Sequence, residues 1–597
     1  MNQSIYFFSI LITSLTFLGC NLLTNSPNPS AMSALALAFG GTQSVTDNVG
    51  QPENLNDPLV PPVDGTPTPS APSNDVCVTE TGAFYVSGDS GQDSNDGSKA
   101  FPVKTIRKAM DLVSSGNAIC VSTRSSNASY EEETATLNVK SGVSIFGGYT
   151  SSWVRDEVQN PTKWKTNRIG LMYSNLNGDA ELSGFNITAK NSEASNESSY
   201  VILITNGTAK LLLKNLTLNA GSVFNGKSTT PGSSIGVLAF NLSKLRIESS
   251  EIRSGDASHG NDGTNGNSGV AGGKGGNGLS GNCDVSHPNA SGGSGGEHPT
   301  LSSLNGFAGG RGGQASENGI TGLGSCGGVG GGTGDPGAAG LSPTCAVQHG
   351  ATGSQGSFSG TNIGTFFPYY QPANGSDGID GSNGVPGSGG GGGGGQHCSF
   401  MCNKGTGNGA GGGGAAGSGG LKGTASQGGG GSFAVVLLEL DEVLIDHTKL
   451  ISGSAGNGGK AGNGGDGGLG GDKGLGIILC TGEVGRGGDG SPGGKGGNGG
   501  DGSAGGGGSS IALVLKSVTS LSANDNTFKT GLAGAGGSAR HSYAGNGGHS
   551  IGVYSVTGSS YTLSNSQFEL GTEGSAGSVT GTGTLGISGR KTNHSWD

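Results

Sequence analysis

An all-β solenoid, a parallel β-helix interrupted by glycine-rich insertions, is the fold class this sequence predicts, on two observations. Segments of 22 residues recur: SIGVLAFNLSKLRIESSEIRSG (234–255), SFAVVLLELDEVLIDHTKLISG (432–453), SIALVLKSVTSLSANDNTFKTG (510–531) and SIGVYSVTGSSYTLSNSQFELG (550–571) align without a gap. Between them glycine stands at every third position, as in GSAGNGGKAGNGGDGGLGGDKG (453–474).

The chain opens MNQSIYFFSILITSLTFLGC, with an apolar run from Ile5 to Leu18 that is short for a membrane span and fits a signal-peptide core. Leu18-Gly19-Cys20 resembles the lipobox of bacterial lipoproteins, with Phe17 where leucine is usual. The resemblance implies removal of residues 1–19 and lipidation of Cys20, with stable anchoring through more than one acyl chain. Asn21 in place of Asp favours the outer membrane, with the chain exposed at the cell surface. Residues 20–75 are rich in Pro, Ser, Thr and Asn without an apolar period, and read as a lipidated, disordered tether.

Residues 76–165 read as the N-terminal cap. Thr105 to Val113 (TIRKAMDLV) carries Ile106, Ala109, Met110 and Val113 at helical spacing, which predicts a short helix over the open edge of the first rung. Tyr85-Val86-Ser87, Gly91, Asp93, Gly97-Ser98, Pro102, Thr105-Ile106 and Ala109, with Gly147-Gly148-Tyr149, Trp153 and Asn160-Pro161-Thr162, resemble the start of bacterial surface proteins of the pectate-lyase-like superfamily. That resemblance implies a right-handed parallel β-helix. It is nearly silent on activity, because the same start precedes enzymes, adhesins and inert scaffolds.

Coils are expected at 166–255, 432–453, 510–531 and 550–571, and a weaker copy (199–221) aligns with one insertion. Ile235, Phe433, Ile511 and Ile551 fall in one column, and Ile252, Leu450, Phe528 and Phe568 in another. Alternating apolar residues point inward, and a single coil cannot bury that face, so the copies must stack.

The insertions 256–431, 454–509 and 532–549 leave after the closing glycine and return at the same serine, so they emerge from one side; 572–597 reads as a C-terminal tail. A threefold period is that of an extended polyproline-II-type helix, and glycine along its edges lets neighbouring helices meet backbone to backbone. Collagen shares the period but needs abundant proline, whereas the chain has 20 Pro against 129 Gly. The insertions resemble instead the polyglycine-II bundles of glycine-rich bacterial surface proteins and phage tail adhesins, which implies a glycine scaffold with binding loops at its tips. A flexible linker is the alternative, opposed by the regular exit points and by six cysteines inside the insertions. GGLGGD (467–472) and GGNGGD (496–501) match the start of a calcium-binding nonapeptide, but Gly474 and Ser503 stand where its apolar residue belongs.

Eight cysteines remain beyond Cys20: Cys77, Cys120, Cys283, Cys326, Cys345, Cys398, Cys402 and Cys480. An even number in an exported chain predicts disulfides without fixing their pairing. Cys77 with Cys120 is the first pair expected, because VCV and AICV read as neighbouring strands. A metal site from His397, Cys398, Cys402 and His349 is disfavoured, since CSFMC is not a CxxC; no metal and no cofactor are expected.

A net charge of -11 argues against nucleic acid as a partner. For catalysis the best patch is Glu439, Asp441, Glu442, Asp446, His447 and Lys449, but equivalent positions such as Asn241, Ser243, Asn524 and Ser564 do not extend it into a carboxylate cleft. The reading is therefore not an enzyme but a surface protein displaying glycine-rich loops for adhesion to a host or surface protein or glycan. A passive envelope scaffold and a polysaccharide-degrading enzyme are its alternatives. TNIGTFFPYYQPANG (361–375) sets Phe366, Phe367, Tyr369 and Tyr370 in a polar, glycine-rich context, a pattern expected of an exposed interface. Its alternative is a local core that packs the insertions.

Overall fold

Parallel strand pairing organises the chain. A computed structural model describes residues 76–597 except 287–289, 359–362, 367–369, 398–403, 557 and 597, and the described residues fall within one compact unit, Pro67–Asp597. Cys20, Phe367, Tyr369, Cys398 and Cys402 lie outside the described residues. The structure is all-β: one sheet of 19 strands, mostly parallel, wound as a right-handed β-helix solenoid.

The capping helix forms as the spacing predicts, whereas VCV, expected as a strand beside AICV, is the helical turn Val76–Thr79. The helix spans Ile106–Leu112, with Thr105 as N-cap accepting a hydrogen bond from the Lys108 amide at 3.1 Å. Buried Ile106, Ala109 and Met110 join the core that continues through Ile119 and Val143. At the helix start, Oε1 of the buried Glu132 accepts the Ile106 N–H at 2.7 Å, where a carboxylate meets the positive end of the helix dipole.

The coils stack in the register of the sequence repeat. Ser199, Ser234, Ser432, Ser510 and Ser550 are successive parallel partners, as are Ile252, Leu450, Phe528 and Phe568. The last row is buried through Phe528, and Phe528 stacks on Phe568 with ring centroids 5.2 Å apart. The one insertion in the weaker copy is a register shift in the strand Ser199–Asn219, opposite Leu242 and Lys244. The repeated serine has a structural task at the neck of each coil. Ser432 Oγ donates to Gly255 O of the coil before it and accepts the Gly453 N–H of its own coil; Ser510 does the same with Gly453 O and the Gly531 N–H. The two ends of the Ser234, Ser432 and Ser510 coils are thereby joined where the chain departs, whereas in the last coil the Gly571 amide donates to Thr530 Oγ1, which in turn bonds Ser550.

Corners turn through left-handed residues. Asn175, Asn206, Asn241, Glu439 and Ser517 form one column with φ between 53° and 61°. Asn215, Ser249, His447, Asp525 and Asn565 form a second with φ between 46° and 55°. Asparagine and aspartate tolerate this region better than most side chains, and Asn241 Nδ2 donates to Asn206 Oδ1 at 2.8 Å to bind adjacent turns.

The glycine-rich segments are hydrogen-bonded to one another at three-residue intervals. Gly263, Gly266, Gly269 and Gly272 donate to the carbonyls of Lys460, Asn463, Asp466 and Leu469, two insertions running side by side. At the centre, the successive amides of Gly412, Gly413 and Gly414 donate to Gly276, Phe307 and Ser491. Their carbonyls accept from Gly474, Gly296 and Gly387. Three residues thus reach six neighbouring segments. The segment 572–597, expected as a tail, instead continues the same pattern: Gly574 and Gly577 donate to Gly548 and Gly545, and Lys591–Trp596 pairs in parallel with Ser550–Val556.

Three disulfides close the described chain. Cys77 is joined to Cys120 in the cap, Cys283 to Cys480, and Cys326 to Cys345. The 197-residue separation of Cys283 and Cys480 equals the offset between Gly263 and Lys460, so this bridge closes the same pair of segments.

Candidate functional site

The aromatic cluster of the first insertion is where sequence and structure differ most. Phe366 is only 5 % exposed, and Tyr370 is largely covered. Thr365–Phe366 and Tyr370–Gln371 pair as a short antiparallel hairpin that folds back on the outside of the solenoid. There Phe366 and Tyr370 meet Phe433 with ring centroids 5.1 and 4.9 Å away, beside Tyr554. The expectation of an exposed pair is thus corrected for these two residues. The outer face of the solenoid is itself apolar here, with Ile235, Leu238, Val436, Val514 and Ile551, and the hairpin rings cover it. Burial pushes the Tyr370 hydroxyl pKa well up.

At one end of that cover lies a cavity of about 520 Å³. Ile169, Tyr200 and Leu203 of the solenoid and Tyr370 of the hairpin give it an apolar floor; Arg168, Asn196, Thr229, Thr230 and Gln371 are among its polar walls. The sequence signal for it is faint, because its walls come from segments some 200 residues apart, and nothing local couples 196–198 to 371–374.

The carboxylate patch is divided between two corners. Glu439 and Asp441 border a small polar cleft with Asn175, Asn206 and Asn241, while Glu442 pairs with Lys244 at 3.2 Å. Asp446 and His447 stand at the other corner beside Asp525 of the next coil: His447 Nδ1 lies 2.9 Å from Asp446 Oδ2, and Nε2 lies 3.8 Å from Asp525 Oδ2. The hydrogen bond to Asp446 raises the His447 pKa above its ordinary value, with the charge of Asp525 adding to it. Ligand atoms of the three residues are close enough to share one cation, although His447 and Asp525 are exposed.

The histidines weighed as metal ligands are engaged separately. His349 Nδ1 accepts the Lys495 amide, and His397 Nδ1 lies 2.9 Å from Ser316 Oγ. Asp501, the last residue of the second calcium-like stretch, is buried and surrounded by donors. Arg540 Nη2 and the Gly464 amide reach Oδ1 at 2.7 Å each, and the His541 amide reaches Oδ2 at 3.0 Å. A carboxylate satisfied in this way is a cross-link between segments.

Large apolar side chains stand exposed on the glycine-rich region. Ile320, Val329 and Leu341 are on adjacent hydrogen-bonded segments, Gly319 donating to Gly331 O and Leu341 to Val329 O. Val329 and Leu341 are 58 % and 57 % exposed. Such grouping on a fixed surface is a mark of interaction sites.

Comparison with known proteins reaches one part of the chain. No curated protein and no solved structure matches it. Residues 89–237, most of the cap and the first coils into the strand that begins at Ser234, are similar to a family described as a protein of unknown function, DUF1565.

Proposed function

We propose that this chain is an exported, lipid-anchored outer-membrane protein that does no catalysis and displays a rigid glycine-rich body for adhesion or ligand binding at the cell surface. Anchoring is supported by the apolar run Ile5 to Leu18 and by Leu18-Gly19-Cys20, with residues 20–75 as tether. In this reading the insertions are a polyglycine-II-type lattice. The observation that carries it is the six-neighbour hydrogen bonding of Gly412 to Gly414, which a flexible spacer would lack. A rigid lattice holds exposed Ile320, Val329 and Leu341 in a fixed array, and a preformed apolar array binds at low entropic cost.

Polysaccharide cleavage is the second reading, favoured by one observation, the Asp446, His447 and Asp525 trio on adjacent coils. Display is preferred because the trio is open to water and the remaining acidic residues of that coil lie at another corner or in an ion pair. The test is fractionation of cells expressing the full chain or Cys20→Ser, followed by binding of intact cells to a panel of immobilised extracellular proteins and glycans. Membrane retention lost in Cys20→Ser, together with a saturable partner, is expected. Retention without Cys20 would end the anchor reading, and the absence of any partner would leave the passive scaffold.

A further inference from the structure

We propose that the cavity bounded by Tyr200 and Tyr370 is a binding site for a neutral saccharide of one or two pyranose rings. The inference rests on the ligand-binding reading above and names its site and ligand class.

Three walls converge on the cavity, and each is held from behind. Arg168 Nε pairs with Glu197 at 3.0 Å, and its Nη1 donates to Ser198 O at 2.9 Å, fixing the first wall. The second, Thr229 to Pro231, is tied to the first where the Gly232 amide donates to Ser195 O at 2.8 Å. The third, Gln371 to Asn374, is tied to the glycine-rich body, with Asn374 Oδ1 accepting the Gly428 amide at 2.8 Å and Ala373 O accepting the Gly506 amide at 2.9 Å. A site whose walls are already fixed needs little ordering on binding.

The chemistry of the lining selects the ligand. Its volume lies within the range of small-molecule sites, roughly 300–1,000 Å³. Arg168 and Glu197 are its charged residues and neutralise one another, so an anion gains no net attraction. Exposed Asn196, Thr229, Thr230 and Gln371 offer amide and hydroxyl groups that both donate and accept, the requirement for pairs of neighbouring sugar hydroxyls. Among the described residues the side-chain amides of Asn196 and Gln371 have no hydrogen-bond partner. Below them, tyrosine rings and aliphatic groups match the apolar C–H face of a pyranose. A purely apolar ligand would leave the amides unpaired, and a polar ion would leave the floor unused.

The test uses the full chain on an array of neutral and anionic mono- and disaccharides, alongside the panel of extracellular proteins. Asn196→Ala, Gln371→Ala and Thr230→Trp, the last filling the cavity from an exposed position, are compared with the wild type. Lys460→Ala, on the glycine-rich body, is the control. Saturable binding of a neutral saccharide, weakened about tenfold by either amide deletion and abolished by Thr230→Trp, is expected. Binding of anionic sugars alone, sugar binding that survives Thr230→Trp, or no sugar binding at all overturns the inference. A wild type that binds an extracellular protein but no neutral saccharide shows that the display reading stands although this site has failed; loss of every partner in the wild type fails both.

Discussion

Ser432 holds Gly453 across the mouth of its own coil: the Gly453 amide donates to Ser432 Oγ at 2.9 Å, while that hydroxyl donates to Gly255 O at 2.8 Å. Both residues recur at the same places in each repeat, and this clasp explains why. Ser432→Ala removes one buried hydroxyl, leaves the Gly255 carbonyl without its donor and the Gly453 amide with only its longer bond to Ser254 Oγ at 3.3 Å, a loss of about 1–3 kcal/mol. Urea unfolding followed by circular dichroism is expected to shift to lower midpoint with unchanged slope, and an unshifted midpoint would show the clasp to be idle.

Much of the solenoid was legible in the sequence because a coil is a local unit. Ile252, Leu450 and Phe528 occupy one row for the same reason that they occupy one column of the repeat. The paths of the insertions were legible only at their necks. Which glycine segment adjoins which depends on contacts such as Gly412 with Gly276, and glycine carries no side chain by which one neighbour is distinguished from another. The aromatic residues misled for a related reason. Phe366 sits in a polar, glycine-rich stretch, but the apolar surface it covers belongs to Phe433 and Tyr554, far along the chain.

That packing makes Phe366 a pin. Phe366→Ala removes a buried ring at a cost of about 3–5 kcal/mol, borne by the docking of the hairpin and not by the coils. Chymotryptic cleavage near Tyr370 is expected to accelerate sharply while the β spectrum of the solenoid is retained. Equal cleavage rates in variant and wild type would contradict the pinning.

Asp501 gives the glycine-rich body an acid limit. Burial alone would raise its pKa, but the hydrogen bonds from Arg540, Gly464 and His541 outweigh burial and hold it below the ordinary carboxylate value. A carboxylate with a lowered folded pKa contributes stability that is present above its unfolded pKa, about 3.9. That stability is lost as pH falls through the folded value. The thermal stability of the wild type is therefore expected to fall as pH drops below about 4. Asp501→Asn should be less stable at neutral pH and show a shallower acid dependence. An identical pH profile in the two proteins would place the acid limit elsewhere.

The glycine period itself makes the most direct prediction. Gly465 donates its amide to Leu421 O at 2.8 Å, and a Cβ built on it would collide with the Asn267 carbonyl. Gly459, Gly462 and Gly468 are placed alike, against the carbonyls of Asn261, Thr264 and Val270. Lys460 and Asp466 between them are exposed and Asn463 is half-buried, with their backbone carbonyls doing the bonding. Replacing the four glycines with Ala should force adjacent segments apart, at about 1–3 kcal/mol for each overpacked site. Replacing Lys460, Asn463 and Asp466 with Ala should do little. Limited proteolysis of the 454–509 insertion, with and without a chelator, separates the outcomes. Rapid cleavage of the glycine variant alone is expected, chelator or not. Equal resistance of both variants would mean that the segments do not need the close approach, and cleavage of the wild type only in chelator, with the Asp466 variant cleaved chelator or not, would assign the order to a bound cation instead.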